Sequence, residues 1–510
     1  MTEQNWFVIA IVIYMAAMLA IGYWSYKQTD KYDDYVLGGR GLPPFAAALS
    51  AGASDMSGWL LMGLPGALFV SGFSELWMAV GLLVGSWCAW KWVAPRLRAY
   101  SEVSSDSITL PSFFENRLKD RSRALRVCAA IIIILFFTFY VSSGMVSGGR
   151  YFEATFGGDY LTGMLIVAAV TVAYTFVGGF LAVSYTDVVQ GLIMFASLII
   201  VPVMALVSLD NPSDIFSWAT SHDYGPYTDG TGNPQYFNLV AGVSAATIIG
   251  NLAWGLGYLG QPHVVVRYMA LRSPQEAKAG RRYGIGWMGL SMIGAVFVAL
   301  VGTTFFSQNA DYSVTDREAF ETIFLDMGRI LFHPLIAGLV LTAVLAAIMS
   351  TMSSQLLVVS SSLIEDLFTI AKKNLPAEHI MINLSRTAVV IIAVIAGLMA
   401  VNPQDSILGL VSFAWAGFGC AFGPLMLGCL YWRRLTSAGA LASMVTGTVV
   451  VLVWGLTGLS DIIYEMVPGF VCSSIVLVVV SLLTKQDNPE VEREFDEASR
   501  LAAKVAKAAS

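Results

Sequence analysis

Ser50–Gly66 reads SAGASDMSGWLLMGLPG, and it falls where an apolar span of membrane length should run. A helix built only to cross lipid would be rich in Leu, Ile and Val and free of charge. Unpartnered backbone groups and charges are costly in hydrocarbon. This stretch instead opens with small residues and carries a carboxylate, Asp55. Ser, Gly and Ala let a backbone unwind and let a neighbouring helix approach closely. Unwound carbonyls beside small hydroxylated side chains are what a dehydrated small cation needs in mid-membrane. The plainer alternative is a kinked, tightly packed helix whose Asp55 sits in an aqueous vestibule.

The rest of the chain supplies the setting. Of its 510 residues 56% are hydrophobic and only 13% charged, about half the charged share of a soluble protein. A set of soluble domains is excluded, and an all-α polytopic membrane protein is expected. The net charge of −6 says little about partners, because the charges are segregated by side. Five cysteines lie in or beside apolar spans and lack metal-ligand spacing, so they read as small buried hydrophobes. The N-terminal stretch lacks a basic leader region and a cleavage site, and reads as a first span.

Windows of about 20 apolar residues predict about thirteen transmembrane helices. The ninth, over 331–364, is too long for one straight crossing. Basic residues sort by loop. All of the 29 Lys and Arg except Arg150, Arg317 and Arg329 fall on one side when the N-terminus is set outside. The positive-inside rule then gives an external N-terminus and a cytoplasmic C-terminus. The charged segment 485–510 reads as a cytoplasmic appendage.

Two further stretches carry chemistry. Leu345–Gln355, LAAIMSTMSSQ, sets Ala347, Ser350 and Thr351 at i, i+3 and i+4, so one helix face offers two hydroxyl oxygens. Such hydroxyls often bond back to their own i−4 carbonyls instead. Hard cations take about six oxygens, more than this face holds; a broken helix opposite it could add the others. Asn251–His263, NLAWGLGYLGQPH, places Trp254 and Tyr258 on one face among glycines, with Pro262 ending the span. It predicts a second discontinuous helix, although aromatic pairs at this spacing usually just pack. Interrupted second and seventh spans are the pattern of an inverted-repeat transporter. Tyr140, within FFTFYVSSG, needs a partner for its hydroxyl. Ser412–Pro424, SFAWAGFGCAFGP, is either a gate or close packing. GGRGL at Gly38–Leu42 lacks the context of a phosphate loop, so nucleotide binding is rejected.

DDYVLGGR (Asp33–Arg40), SAGASDMSGWLLMGLPGA (Ser50–Ala67), FFTFYVSSG, WGLGYLGQPH (Trp254–His263) and LAAIMSTMSSQLLV (Leu345–Val358) occur in this order across nearly the whole chain. With them the chain resembles the sodium/solute symporter family, and within it the members that carry proline. The resemblance implies a leucine-transporter-type five-plus-five inverted repeat with flanking helices. That gives a first helix and loop over 1–42, repeats over 43–208 and 238–431, two further helices over 437–484, and the tail. It implies Na+ as coupling ion, L-proline as cargo, the bilayer of the cell inner membrane as setting, and neither catalysis nor nucleic-acid binding. Carried over by position, the sodium site falls on the carbonyls of Ala53, Met56 and Ala347 and the hydroxyls of Ser350 and Thr351. The proline pocket falls on Tyr140, Trp254, Tyr258 and Pro262. Asp55 and Ser57 bear on sodium affinity, Arg40 on coupling and Glu321 on external access. Family members carrying pantothenate or a monocarboxylate, and a transporter-like sensor, are the rival readings.

Overall fold

The computed structural model describes residues 3–27, 31–221, 235–240, 242–309, 317–371, 377–402, 407–484 and 488–507. Lys372, Lys373 and Lys485, used in the charge count, lie outside the described residues. Among the described residues the ordered structure is helical, joined by short irregular connections, with a single parallel bridge between Leu42 and Leu271. Ten helical stretches among the described residues are long and apolar enough to cross a membrane, and Tyr160–Phe176 and Ala245–Leu259 are shorter apolar helices.

The breaks fall where the small residues are. Pro44–Asp55 forms a helix, with Pro43 before it and a proline in its first turn, where a missing N–H costs nothing. It stops at Met56, whose ψ of 76° leaves the helical region. After Ser57 and Gly58 the chain re-enters through a wide π turn, Trp59–Gly63, and continues as helix Leu64–Ser71. The seventh window breaks in the same manner. Helix Ala245–Ala253 tightens into a 3-10 turn at Trp254–Leu259, and extended Gln261 leads into a new helix, Pro262–Met269. The sequence window ended at 262, so this inner half-helix was missed; its His263 and Arg267 depress the local hydropathy.

Other boundaries follow local chemistry. The helical run Tyr160–Ser208 is interrupted at Gly179, whose φ of +61° only glycine adopts without strain. There the apolar stretches Tyr160–Phe176 and Gly178–Ser208 part. Pro334–Phe368 runs 35 residues and is the most buried candidate span, with 83% of its apolar window enclosed. At 1.5 Å per residue it is about 52 Å long, well beyond a hydrocarbon core of about 30 Å, as the long window required. By contrast Glu3–Tyr26 and Met466–Leu483 are only 28% buried and sit at the periphery.

One packing contact is unusually close. Leu76–Cys88 crosses the broken helix glycine to glycine. A Cβ placed on Gly85 would stand 2.0 Å from the Gly255 carbonyl oxygen, and one on Gly255 2.1 Å from that of Gly81. The two main chains touch with no side chain between them.

The tail is less detached than its charge suggests. Helix Pro489–Lys507 lies against the bundle. Lys119 meets Glu494 at 2.6 Å and Glu490 at 3.2 Å, while Arg433 meets Glu492 and Asp496 at 3.0 Å. Phe495 adds a ring contact with Tyr100 at 6.2 Å.

Candidate functional site

The first break faces the hydroxyl-rich helix. The Ser350 hydroxyl reaches the Ala53 carbonyl at 2.7 Å and the Ala347 carbonyl at 3.1 Å, and the Thr351 hydroxyl reaches the same Ala347 carbonyl at 3.1 Å. All four residues are buried. Four of the five sequence-designated oxygens thus form one cluster bridging Pro44–Asp55 and Pro334–Ser361. Oxygens sharing a hard cation at about 2.4 Å and right angles stand about 3.4 Å apart, so the cluster has the scale of such a site. Met56 lies in the break itself. Ser57 is beside it, its N–H donating to the Asp55 carbonyl at 2.9 Å. Gly58 sits against Ser147 and Ile348, which keeps the break close to both long helices.

The second break meets the first. Tyr258 donates its hydroxyl hydrogen to Oδ2 of Asp55. Trp254 stacks on Tyr464 at 5.3 Å and on Trp415 at 6.3 Å, and Tyr258 meets Trp415 edge-on at 5.1 Å. Trp415 Nε1 donates to the Trp254 carbonyl at 2.8 Å, and Gln261 Nε2 donates to the Trp415 carbonyl at 2.9 Å. Gly257 permits this closeness, because a Cβ there would lie 2.1 Å from Trp415 Nε1. Tyr140 reaches the break from Ala124–Phe156, its ring 5.9 Å from His263. Pro262 borders a small cavity with Thr109, Phe180, Leu357 and Ser361.

Several polar atoms here complete no hydrogen bond among the described residues: Asp55 Oδ1, the Tyr140 hydroxyl, Gln261 Oε1 and both ring nitrogens of His263. Each such buried group costs about 1–3 kcal/mol. Others are scattered through the bundle, but those at the breaks lie where a polar solute and a cation could complete them.

The sequence reading missed the partners. Trp415, in the stretch that reads as either gate or close packing, stands at the centre of the aromatic group. Tyr464 comes from beyond the second repeat. A third cluster was passed over: Asp187 Oδ2 accepts from Ser50 at 2.7 Å and pairs with Arg267 at 3.2 Å, and Arg267 also donates to Ser50 at 3.0 Å and Ser354 at 2.5 Å. The available signal was Asp187, an isolated carboxylate in an apolar window. Arg267, counted above as a loop cation, is fully buried.

Arg40 and Glu321 are not in the cluster. Arg40 donates to Asp106 at 2.9 Å, to the Met269 carbonyl at 2.9 Å and to the Ser107 carbonyl at 2.8 Å. It pins the loop before the first broken helix to the end of the second. Burial lowers its pKa, an effect that neighbouring Asp106 opposes. Glu321 pairs with Arg150 at the opposite end, and the carbonyl of neighbouring Phe320 crowds Gly66.

Two broken helices joined through Asp55 and Tyr258, with an oxygen cluster on one side and an aromatic enclosure on the other, define a cation-coupled solute carrier. The sodium:solute symporter family model matches residues 35–447, and the chain belongs to that family. Among relatives, the high-affinity proline transporter PutP of Bacillus subtilis is 50% identical over 94% of this chain and 98% of its own length. The sodium/proline symporter of Staphylococcus aureus is 45% identical over 97% and 96%. Among solved structures, a Na+-coupled sialic acid symporter in a substrate-bound outward-open state superposes with a TM-score of 0.79 at 20% identity, covering 94% of this chain and 98% of that one. That likeness concerns the fold alone.

Proposed function

We propose that this protein imports L-proline together with Na+ across the cell inner membrane by alternating access. The observation that carries the reading is the 45–50% identity, over nearly the whole chain, with proline carriers. Proline is a zwitterion with a compact apolar ring. The ring packs against Trp254 and Tyr140, while the broken-helix ends and the unmatched polar atoms meet the carboxylate and ammonium. Na+ takes the carbonyls of Ala53, Met56 and Ala347 and the hydroxyls of Ser350 and Thr351. Asp55 and Ser57 tune that site, Arg40 closes the inner end and Glu321 the outer end.

The fold reading that accompanies this has thirteen crossings, spans two to six and seven to eleven forming inverted repeats, the N-terminus periplasmic and the C-terminus cytoplasmic. The bond from Tyr258 to Asp55 supports the coupling: an ion ordering the first break also orders the residue that bounds the proline pocket. A tenfold Na+ gradient supplies about 1.4 kcal/mol and 100 mV about 2.3 kcal/mol per charge, enough for a several-hundred-fold proline accumulation at one-to-one coupling. Proline flux into proteoliposomes, with and without an inward Na+ gradient, tests the reading. Equal flux in both cases overturns it, and stronger competition by pantothenate or a monocarboxylate than by proline reassigns the cargo.

A further inference from the structure

A lateral groove of about 620 Å³ runs between the first helix and the bundle. One wall is Gln4, Val8, Ile11 and Met15 of Glu3–Tyr26; the other is Tyr151 and Phe156. Leu345 of the central helix forms part of its lining. From Gln4 to Met15 a helix rises about 16 Å, close to half of a hydrocarbon core of about 30 Å. The groove therefore has the depth of one leaflet. Val8 and Val12 are 50% and 58% exposed, so it opens sideways, toward acyl chains.

The mouth is charged. A second cavity of about 530 Å³ shares Gln4 and Phe156 with the groove and is bordered by Glu3, Glu153 and Arg329. Arg329 donates to the Ala154 carbonyl at 2.7 Å and stands 4.0 Å from the Glu3 carboxylate. One guanidinium and two carboxylates bordering the same cavity complement a headgroup that carries a phosphate and a free ammonium.

We propose that this groove binds an aminophospholipid of the phosphatidylethanolamine type, its phosphate at Arg329, its ammonium at Glu153 and Glu3, and one acyl chain along Val8, Ile11 and Met15. An anionic headgroup without an amine would bring its charge to two carboxylates and one guanidinium. A trimethylated amine has no N–H to give them. The site is separate from the proline pocket and stands whether or not the cargo is proline.

The test is native mass spectrometry of the purified full-length protein after exchange against equal amounts of phosphatidylethanolamine, phosphatidylcholine and phosphatidylglycerol. The wild type should retain phosphatidylethanolamine roughly tenfold or more over the others, the scale of one charge-assisted hydrogen bond. The double variant Glu3→Gln with Glu153→Gln should lose that preference but still hold lipid. Ile11→Trp, which fills the groove, should reduce retention of all three lipids. Thermal unfolding and size-exclusion profiles matching the wild type report that the variants are folded, independently of the cargo. Equal retention of the three lipids by the wild type overturns the proposal, as does a preference for phosphatidylglycerol. A preference unchanged in the double Gln variant overturns the headgroup assignment.

Discussion

Tyr258 donates its phenolic hydrogen to a carboxylate oxygen of Asp55, across 203 positions of sequence, and so ties one broken helix to the other. Removing one partner leaves the other buried and unmatched. Asp55→Asn should abolish or greatly weaken Na+-stimulated uptake, while Asp55→Glu keeps part of it. A double-mutant cycle of Asp55→Ala with Tyr258→Phe, read by the unfolding free energy of the purified protein, should show coupling of about 1.5–3 kcal/mol, the range for a hydrogen bond to a charged group. Additive effects, or wild-type Na+ dependence in Asp55→Asn, would reduce the pair to a packing contact.

Ser350→Ala and Thr351→Ala each remove one oxygen from the cluster that holds the Ala53 and Ala347 carbonyls. Each should shift the Na+ requirement of uptake to much higher concentration, and by linkage proline affinity should fall at low Na+ and recover at high Na+. Ser350→Thr and Thr351→Ser keep the oxygen and should be milder. A packing defect is not rescued by sodium, so a Na+ titration separates the two causes. Normal Na+ dependence in both Ala variants sinks the site.

The aromatic enclosure should set proline affinity. Trp254→Ala and Tyr258→Ala remove contact area from the pocket and should raise the apparent proline constant, with transport still measurable at saturation. Tyr464→Ala takes away the ring stacked on Trp254 at 5.3 Å and should act in the same direction, with Tyr464→Phe close to wild type. An unchanged proline constant in all three Ala variants would move the pocket elsewhere.

Orientation is testable by thiol labelling in a cysteine-free background. A cysteine at Ser221, which is exposed, should react with an impermeant reagent from outside. On the internal side Asn374, beside the basic residues Lys372 and Lys373, lies outside the described residues. Exposed Arg434 serves instead, and a cysteine there should react only after permeabilisation. The reverse pattern would invert the topology.

Local chemistry was legible in the sequence, and long-range partnership was not. The break after Asp55 follows from Gly, Ser and Ala where a span should be apolar, and the hydroxyl face follows from the spacing of Ala347, Ser350 and Thr351. Both are properties of a few adjacent residues. That Trp415 would slot against Gly257, or Tyr464 against Trp254, depends on how helices about 160 to 210 positions apart come together. No periodicity encodes that. Arg267 reads as one more loop cation because the hydropathy window closes at Pro262, and only the folded chain puts it beside Asp187. The tail helix has the same history: its carboxylates look solvent-directed until Lys119 and Arg433 are brought beneath them.

The contact of Gly85 with Gly255 bears on how this chain can change over generations. Neither position accepts even a methyl group unless both helices part, since backbone atoms, not flexible side chains, stand in the way. A saturation library selected for uptake should return glycine alone at these two codons. Val80 and Val84, half-exposed on the same helix as Gly85, should tolerate almost any apolar residue. The crossing is thus a fixed point in an otherwise permissive surface, and lineages can drift there only by moving two spans together.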